Sequence, residues 1–376
     1  MSQLFDALDH AFGFVPEDRA VLFLGDWPAP GADDAAWVFQ RQLLLDWFRE
    51  LLPLLGARGI GATLAWYDAT GRNNGELPAT ARPQNPTALA PDPEESLALP
   101  LDTLFGAHKA IIAMNRYSAT APLKKAAPGF GFRAASMPGF TPEMMPAMLL
   151  PPGVVPARVE RLKRLLDGAT GALLAFCTPV GCHELYLDLR GRTAHSSAGL
   201  FHQPGIAGNL PSGEAYIVPY EGEVPALGAS LSNGVLPVEL DREIVLYRIE
   251  ANRATAILSQ GPVSEREGAL LKAEPAMANL AELGLGVLAE LGVEPVGEVL
   301  LDEKLGLHIA FGRSDHFGGA VGPKDFSSPA AAAHIDRIYI RQCQPWVKVP
   351  FVDLELEDGS RTRIIEDGRY VTGLFD

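Results

Sequence analysis

The stretch from Ala20 to Tyr67 constrains the fold more than any other. Ala20-Val21-Leu22-Phe23-Leu24 is an unbroken apolar run that stops at Gly25-Asp26, the pattern of a strand buried on both faces. Asp33 or Asp34 is placed to cap a helix running to about Leu55, with Trp37, Leu44, Phe48, Leu51 and Leu55 along one stripe. Pro53 strains the last turn of that helix, and Gly56 suits its exit. Thr63-Leu64-Ala65-Trp66-Tyr67 is the next strand. Strand, helix and strand make a right-handed crossover, which commits both strands to one parallel sheet. Ala110-Ile111-Ile112-Ala113-Met114 resumes it.

Residues 71 to 100 interrupt this pattern. Pro78, Pro83, Pro86, Pro91, Pro93 and Pro100 fall among few large apolar side chains, so the segment reads as a long surface excursion or a lid. Pro122 to Ala127 reads as a short basic helix, and Arg158 to Leu166 as an amphipathic one. The expected division is an N-terminal α/β domain with a parallel sheet at 1–165, and a β-rich α+β metal-binding domain at 166–376. In the second part, strands are expected at 173–176, 186–189, 215–219, 243–249 and 253–257. Glu265 to Leu283 reads mostly as helix, broken by Pro275. The C-terminus reads as a meander with turns at Asp358-Gly359 and Asp367-Gly368.

The chain has 376 residues, 47% hydrophobic and 20% charged, with a net charge of −15. That composition is globular, and the acidic balance argues against nucleic acid or an anionic membrane as partner. Cys177, Cys182 and Cys343 are too few to suggest a disulfide framework or a paired Cys-x-x-Cys zinc motif. The first residues, MSQLFDALDHAFGF, lack the basic and apolar regions of a signal peptide. A cytoplasmic location is the expectation that follows.

Chemistry concentrates between Leu301 and Asp336, which holds His308, His316, His334 and Asp336. Alternation along 307–311 turns His308 and Ala310 to one side and Leu307, Ile309 and Phe311 to the other. The same period puts His334 and Asp336 on one face. An imidazole and a carboxylate on one strand, with a second imidazole on another, suit a divalent transition metal. Between them, Gly312 to Pro329 reads as a loop able to close over a site. Glu214 at a strand mouth and Glu282 between apolar residues and glycines are further carboxylates. Taken alone, Glu214 reads as an exposed rim residue, and Glu282 as a helix-end residue facing solvent with Gly284 as cap.

The segments GNLPSGEAY, NLAELGLG, LDEKLGLHIAFG and AAAHID, in that order, resemble the aminopeptidase T family of metallopeptidases. The similarity extends upstream through RAASMPGFTPEMM and CTPVGCHELYLDLRGR. The resemblance implies a two-domain homodimeric enzyme that removes N-terminal residues from small peptides with two divalent ions (zinc, cobalt or manganese). It assigns the metal ligands to Glu214, Glu282, His308, His334 and Asp336. The family's catalytic tyrosine falls on Asp315 here, so Asp315 and the adjacent His316 become the candidate proton-handling residues.

A second class of reaction fits part of the same set. His308, His334 and Asp336 are the two imidazoles and one carboxylate that hold a single non-haem Fe(II). The fold implied by the resemblance is shared with a ring-opening dioxygenase of hydroxylated pyridines that uses one iron. A histidine is expected at the Glu282 position in that case, so Glu282 favours the hydrolase while Asp315 counts against it.

Overall fold

The computed structural model describes residues 2–87, 90, 91 and 97–376. The chain is a mixed α/β protein with one parallel-containing sheet and two antiparallel ones. It divides into two compact units, residues 1–152 with 199–212, and residues 153–198 with 213–376.

The first unit is built on the sheet expected from the crossover pattern. Ala20–Trp27 lies at its centre, parallel to Gly61–Asp68 on one side and to Ala110–Ala113 on the other. Arg133–Ser136 and Ala207–Asn209 extend it in parallel. The connecting helix is Ala35–Gly56, and Asp34 caps it by accepting from the Trp37 N–H at 2.9 Å. The central strand changes character at Gly25 because a Cβ there would lie 2.4 Å from the Trp66 ring. In the Pro-rich stretch, Thr80–Pro83 and Leu99–Pro100 are short strands that continue the sheet edge. Those two strands tie part of the excursion to the sheet, while 88, 89 and 92–96 lie outside the described residues.

The second unit carries an eight-stranded antiparallel sheet and a five-stranded antiparallel sheet. Lys348–Leu356, Arg361–Glu366 and Arg369–Tyr370 form the C-terminal meander. A single cut at 165/166 does not describe the division. The helix Val154–Asp167 packs on Glu214–Ile217 and His195–Ser197 and so goes with the second unit. Residues 199–212 return to the first unit because Ala207–Asn209 adds a strand to its sheet. The helix expected up to Leu283 ends at Ala273, and Leu280–Gly286 is a strand. The cysteine expectation also fails. Cys177 and Cys182 face each other across the hairpin of Ala169–Thr178 and Gly181–Asp188 and are joined by a disulfide. Counting cysteines does not reveal a register that opposes two of them. Among the described residues, no helix is long and apolar enough to cross a membrane.

Asp26 ends the central parallel strand, almost fully buried, and accepts the Arg116 and Tyr117 N–H groups at 2.8 and 3.0 Å. Burial outweighs those two donors and pushes its pKa up to about 6. The folded state thus holds this proton more tightly than the unfolded chain, whose Asp titrates at about 3.9. The stability it confers is full below about pH 4 and is lost as pH rises through about 6. Urea titrations of wild type and Asp26→Asn between pH 4 and 7.5 are expected to shift in favour of the Asn variant with rising pH, by on the order of 2–3 kcal/mol.

Candidate metal centre

The five-stranded sheet runs in the order His334–Ile338, Leu307–Gly312, Leu280–Gly286, Glu214–Ile217, His195–Ser197. Its register decides the site. Opposed residues of an antiparallel pair share a face. Glu214 is opposite Gly286 and Tyr216 opposite Gly284. Gly284 in turn is opposite His308, and Glu282 is opposite Ala310. Ala310 is opposite Asp336, and Gly312 opposite His334. One face therefore carries Glu214, Glu282, His308, His334 and Asp336, with Gly284, Gly286, Ala310 and Gly312 interleaved as spacers. A register shift beside Ala281 brings Glu282 into line with Ala310. The other face presents Ala215, Ile217, Leu283, Leu285, Leu307 and Ile309, all buried. Apolar burial of that face fixes the pairing, because slipping by one residue would turn the carboxylates into the core.

The glycines make room for the large ligands. A Cβ on Gly284 would lie 1.9 Å from His308 Nε2. A Cβ on Gly286 would lie 2.2 Å from the Lys304 backbone. The imidazole thus crosses directly over the neighbouring strand and reaches the carboxylates beyond it.

Glu282 is the hub. His308 Nε2 lies 3.3 Å from its Oε1, and His334 Nε2 lies 3.1 Å from its Oε2. His308 Nε2 is also 3.4 Å from Glu214 Oε2, and His334 Nε2 is 3.3 Å from Asp336 Oδ1. Two groups able to hold a metal result, Glu214 with Glu282 and His308, and Glu282 with His334 and Asp336. They share Glu282. The structure brings together all five residues proposed as ligands from sequence. Glu214, Glu282 and His308 are buried, whereas His334 and Asp336 are half-buried on the edge strand.

Both imidazoles are oriented as metal ligands usually are. His308 Nδ1 donates to the Gly306 carbonyl at 3.2 Å, and His334 Nδ1 to the Arg313 carbonyl at 2.7 Å. That fixes each ring and turns Nε2 toward the carboxylates. Glu214 Oε2 is buried and makes no hydrogen bond, its nearest partner being His308 Nε2 at 3.4 Å. The donor set of imidazoles and carboxylates suits borderline divalent ions. Without an ion, burial lowers the proton affinity of His308, but its bond to Glu282 and the charge of Glu214 prevail and raise its pKa to about 9. Glu282 shows the reverse balance. Burial raises its pKa, and the two histidines pull it well below the carboxylate range.

Two neighbours were not legible as site residues. Lys304, only 1% exposed, lies 2.7 Å from Glu214 Oε1 and is also paired with Glu303. Burial disfavours its charge, yet the two carboxylates hold it protonated. Burial pushes Glu303 up to about 8 in spite of that ammonium. Both residues sit in a three-residue turn, Glu303–Leu305, too short for any periodicity. The only signal available was an Asp-Glu-Lys run between leucines.

The loop after Gly312 carries the remaining candidates. Asp315 is turned to Arg313, at 2.5 Å, and lies 3.6 Å from His316 Nδ1. His316 faces the centre, its ring 5.3 Å from that of His334, and burial lowers its pKa. Phe317 lies 5.4 Å from the His334 ring and 4.7 Å from the Tyr216 ring. The loop is anchored rather than loose. Glu221, whose side chain is 4% exposed, accepts from Ser314 Oγ at 2.5 Å, the Ala320 N–H at 2.5 Å and Asn279 Nδ2 at 2.6 Å.

No family model matches the chain, and no curated protein matches it. Among solved structures it is similar to 2,5-dihydroxypyridine dioxygenase from Pseudomonas putida KT2440, at a TM-score of 0.64 and 15% identity, over 100% of both chains. At that identity the similarity speaks for the fold.

Gly284→Ala is expected to displace the His308 ring from Glu282 and weaken divalent-ion binding by about 10–100-fold, measured by calorimetric titration with Mn²⁺. Ala310→Gly on the same face should retain affinity within about threefold, since it removes no ligand and opens no clash.

Proposed function

We propose that this chain is a metal-dependent enzyme acting on a small planar molecule, with its ion held at the Glu282-centred face of the five-stranded sheet. The observation that carries the metal reading is the sharing of Glu282 between two ligand groups, in a setting where both imidazoles are held by backbone carbonyls. When bound, a divalent ion supplies Lewis acidity and, as iron(II), the one-electron chemistry that dioxygen requires.

Ring-opening oxygenation of a hydroxylated nitrogen heteroaromatic is the reaction class best supported. The full-length fold similarity to a dioxygenase of that substrate class favours it. So do the rings of His316 and Phe317 beside His334, which offer a flat substrate an aromatic wall at the half-buried edge of the cluster. Within this arrangement His334 and Asp336 present ligand atoms at the accessible edge, and Glu282 fixes their geometry from below. His316, kept neutral by burial, is placed to accept a proton from a ring hydroxyl. Glu221 positions His316 by tying down the loop that carries it.

A second reading is a two-ion hydrolase of the aminopeptidase type. Its specific support is that the two oxygens of Glu282 address different imidazoles, as a bridging carboxylate would. In that reading Glu303, with its raised pKa, is the available general base.

The two classes separate in one comparison. Protein loaded anaerobically with Fe(II) is expected to consume dioxygen with dihydroxypyridines. Glu282→Ala should lower that rate by at least about 100-fold. Release of N-terminal residues from short peptides with Zn²⁺, Co²⁺ or Mn²⁺, and no dioxygen uptake, would establish the hydrolase instead.

A further inference from the structure

We propose that Lys304 is a built-in cation that takes the place of a second metal ion, so that the centre binds one divalent ion, on Glu282, His334 and Asp336. The inference rests on the metal reading above and goes beyond it by fixing where the ion sits and how many there are.

The two ligand groups are alike in donor type but not in surroundings. The group of Glu214, Glu282 and His308 is closed, all three residues being buried. Lys304 reaches into that end with its side chain 1% exposed, 2.7 Å from Glu214 Oε1 and paired also with Glu303. One Glu214 oxygen is thus committed to an ammonium. A divalent ion on the remaining Glu214 oxygen would face that ammonium across a single carboxylate, in a buried setting that screens the repulsion weakly. The lysine is held at both ends: its backbone carbonyl accepts from the Leu288 N–H at 2.9 Å, and its buried ammonium is paired with Glu214 and Glu303. Among the described residues, no lysine or arginine contacts the carboxylates of the Glu282, His334 and Asp336 group, which are met by the two imidazoles alone. It also lies on the half-buried edge strand, where an ion can enter. His308 then serves as a donor to Glu282, holding the carboxylate for its ion.

The test is a count of bound ions. Wild-type protein equilibrated with excess Mn²⁺ and freed of unbound metal is expected to retain one ion per chain, with the electron paramagnetic resonance signal of an isolated ion. Lys304→Met should retain two, with an exchange-coupled signal, and Lys304→Arg should stay at one. Two ions on the wild type, or one ion on a Lys304→Met variant with unchanged circular dichroism, overturns the proposal. If the Lys304 variants do not fold, Glu214→Gln and Asp336→Asn decide it in the native lysine background. Glu214→Gln should keep one ion with less than about tenfold loss of affinity, and Asp336→Asn should lose it, by at least about 100-fold. The opposite pattern overturns the assignment. Wild-type protein that binds no Mn²⁺, Zn²⁺ or Fe(II) at all would overturn the metal reading itself. Two ions on the wild type would leave that reading standing and remove only the role of Lys304.

Discussion

A buried carboxylate in the middle of a sheet is costly unless its charge is met, and Glu282 is met on both oxygens. His308 and His334 approach it from the next two strands of the same sheet. That pairing is possible only because glycine or alanine occupies each intervening position on the face. Sequence, register and chemistry are linked at this point. The apolar face of the sheet sets the pairing, the pairing aligns Gly284 with His308, and the glycine lets the imidazole through. A substitution that respects hydrophobic patterning everywhere can still abolish the centre by adding one methyl group.

How much of this was legible beforehand depended on whether a residue sat in a regular pattern. His308, His334 and Asp336 could be placed on common faces because their strands alternate cleanly. Glu214 and Glu282 could not. The first follows a turn, and the second lies in Ala281-Glu282-Leu283-Gly284-Leu285-Gly286, where the inward positions are glycines and the apolar residues run on from a helix. Glycine carries little strand signal, so the segment read as a helix end, and only the family resemblance singled Glu282 out. Lys304 escapes both routes, since a three-residue turn has no period and the resemblance, though its LDEKLGLHIAFG segment includes Lys304, assigns that residue no role. In the first unit the crossover pattern sufficed for the parallel strands. It gave no hint that residues 199–212 return to that sheet, because three short residues at an edge, Ala207-Gly208-Asn209, lack the β-branched or aromatic content that marks a strand.

The resemblance and the structural similarity draw on the same face in different ways. The peptidase-like motifs supply the ligand types, and all five side chains converge as those motifs imply. The solved neighbour supplies a fold of the same extent whose chemistry is oxygenation. Much of what separates the two on this chain lies outside the five converging side chains. It is the lysine at the Glu214 end, the aspartate turned toward Arg313 where a tyrosine was expected, and the rings beside His334. In such a scaffold the residues that crowd the donor atoms bear on reaction class as well as the donors do, Glu282 being the donor that stands where the oxygenase is expected to hold a histidine.

These crowding residues also give the centre a direction. At one end Glu214, Lys304 and Glu303 are sealed from solvent and carry their own counter-charge. At the other, His334 and Asp336 lie half-buried on an edge strand, under a loop tied in place by Glu221. An incoming ion reaches the cluster at the half-buried end, where imidazoles rather than an ammonium face the carboxylates, and a flat substrate finds its aromatic surface there as well. Glu282 belongs to both ends. The fixed charge of the sealed end therefore acts on the ion through one shared carboxylate, and the His308 contact to its Oε1 determines how strongly its Oε2 presents itself to His334 and to whatever is bound there.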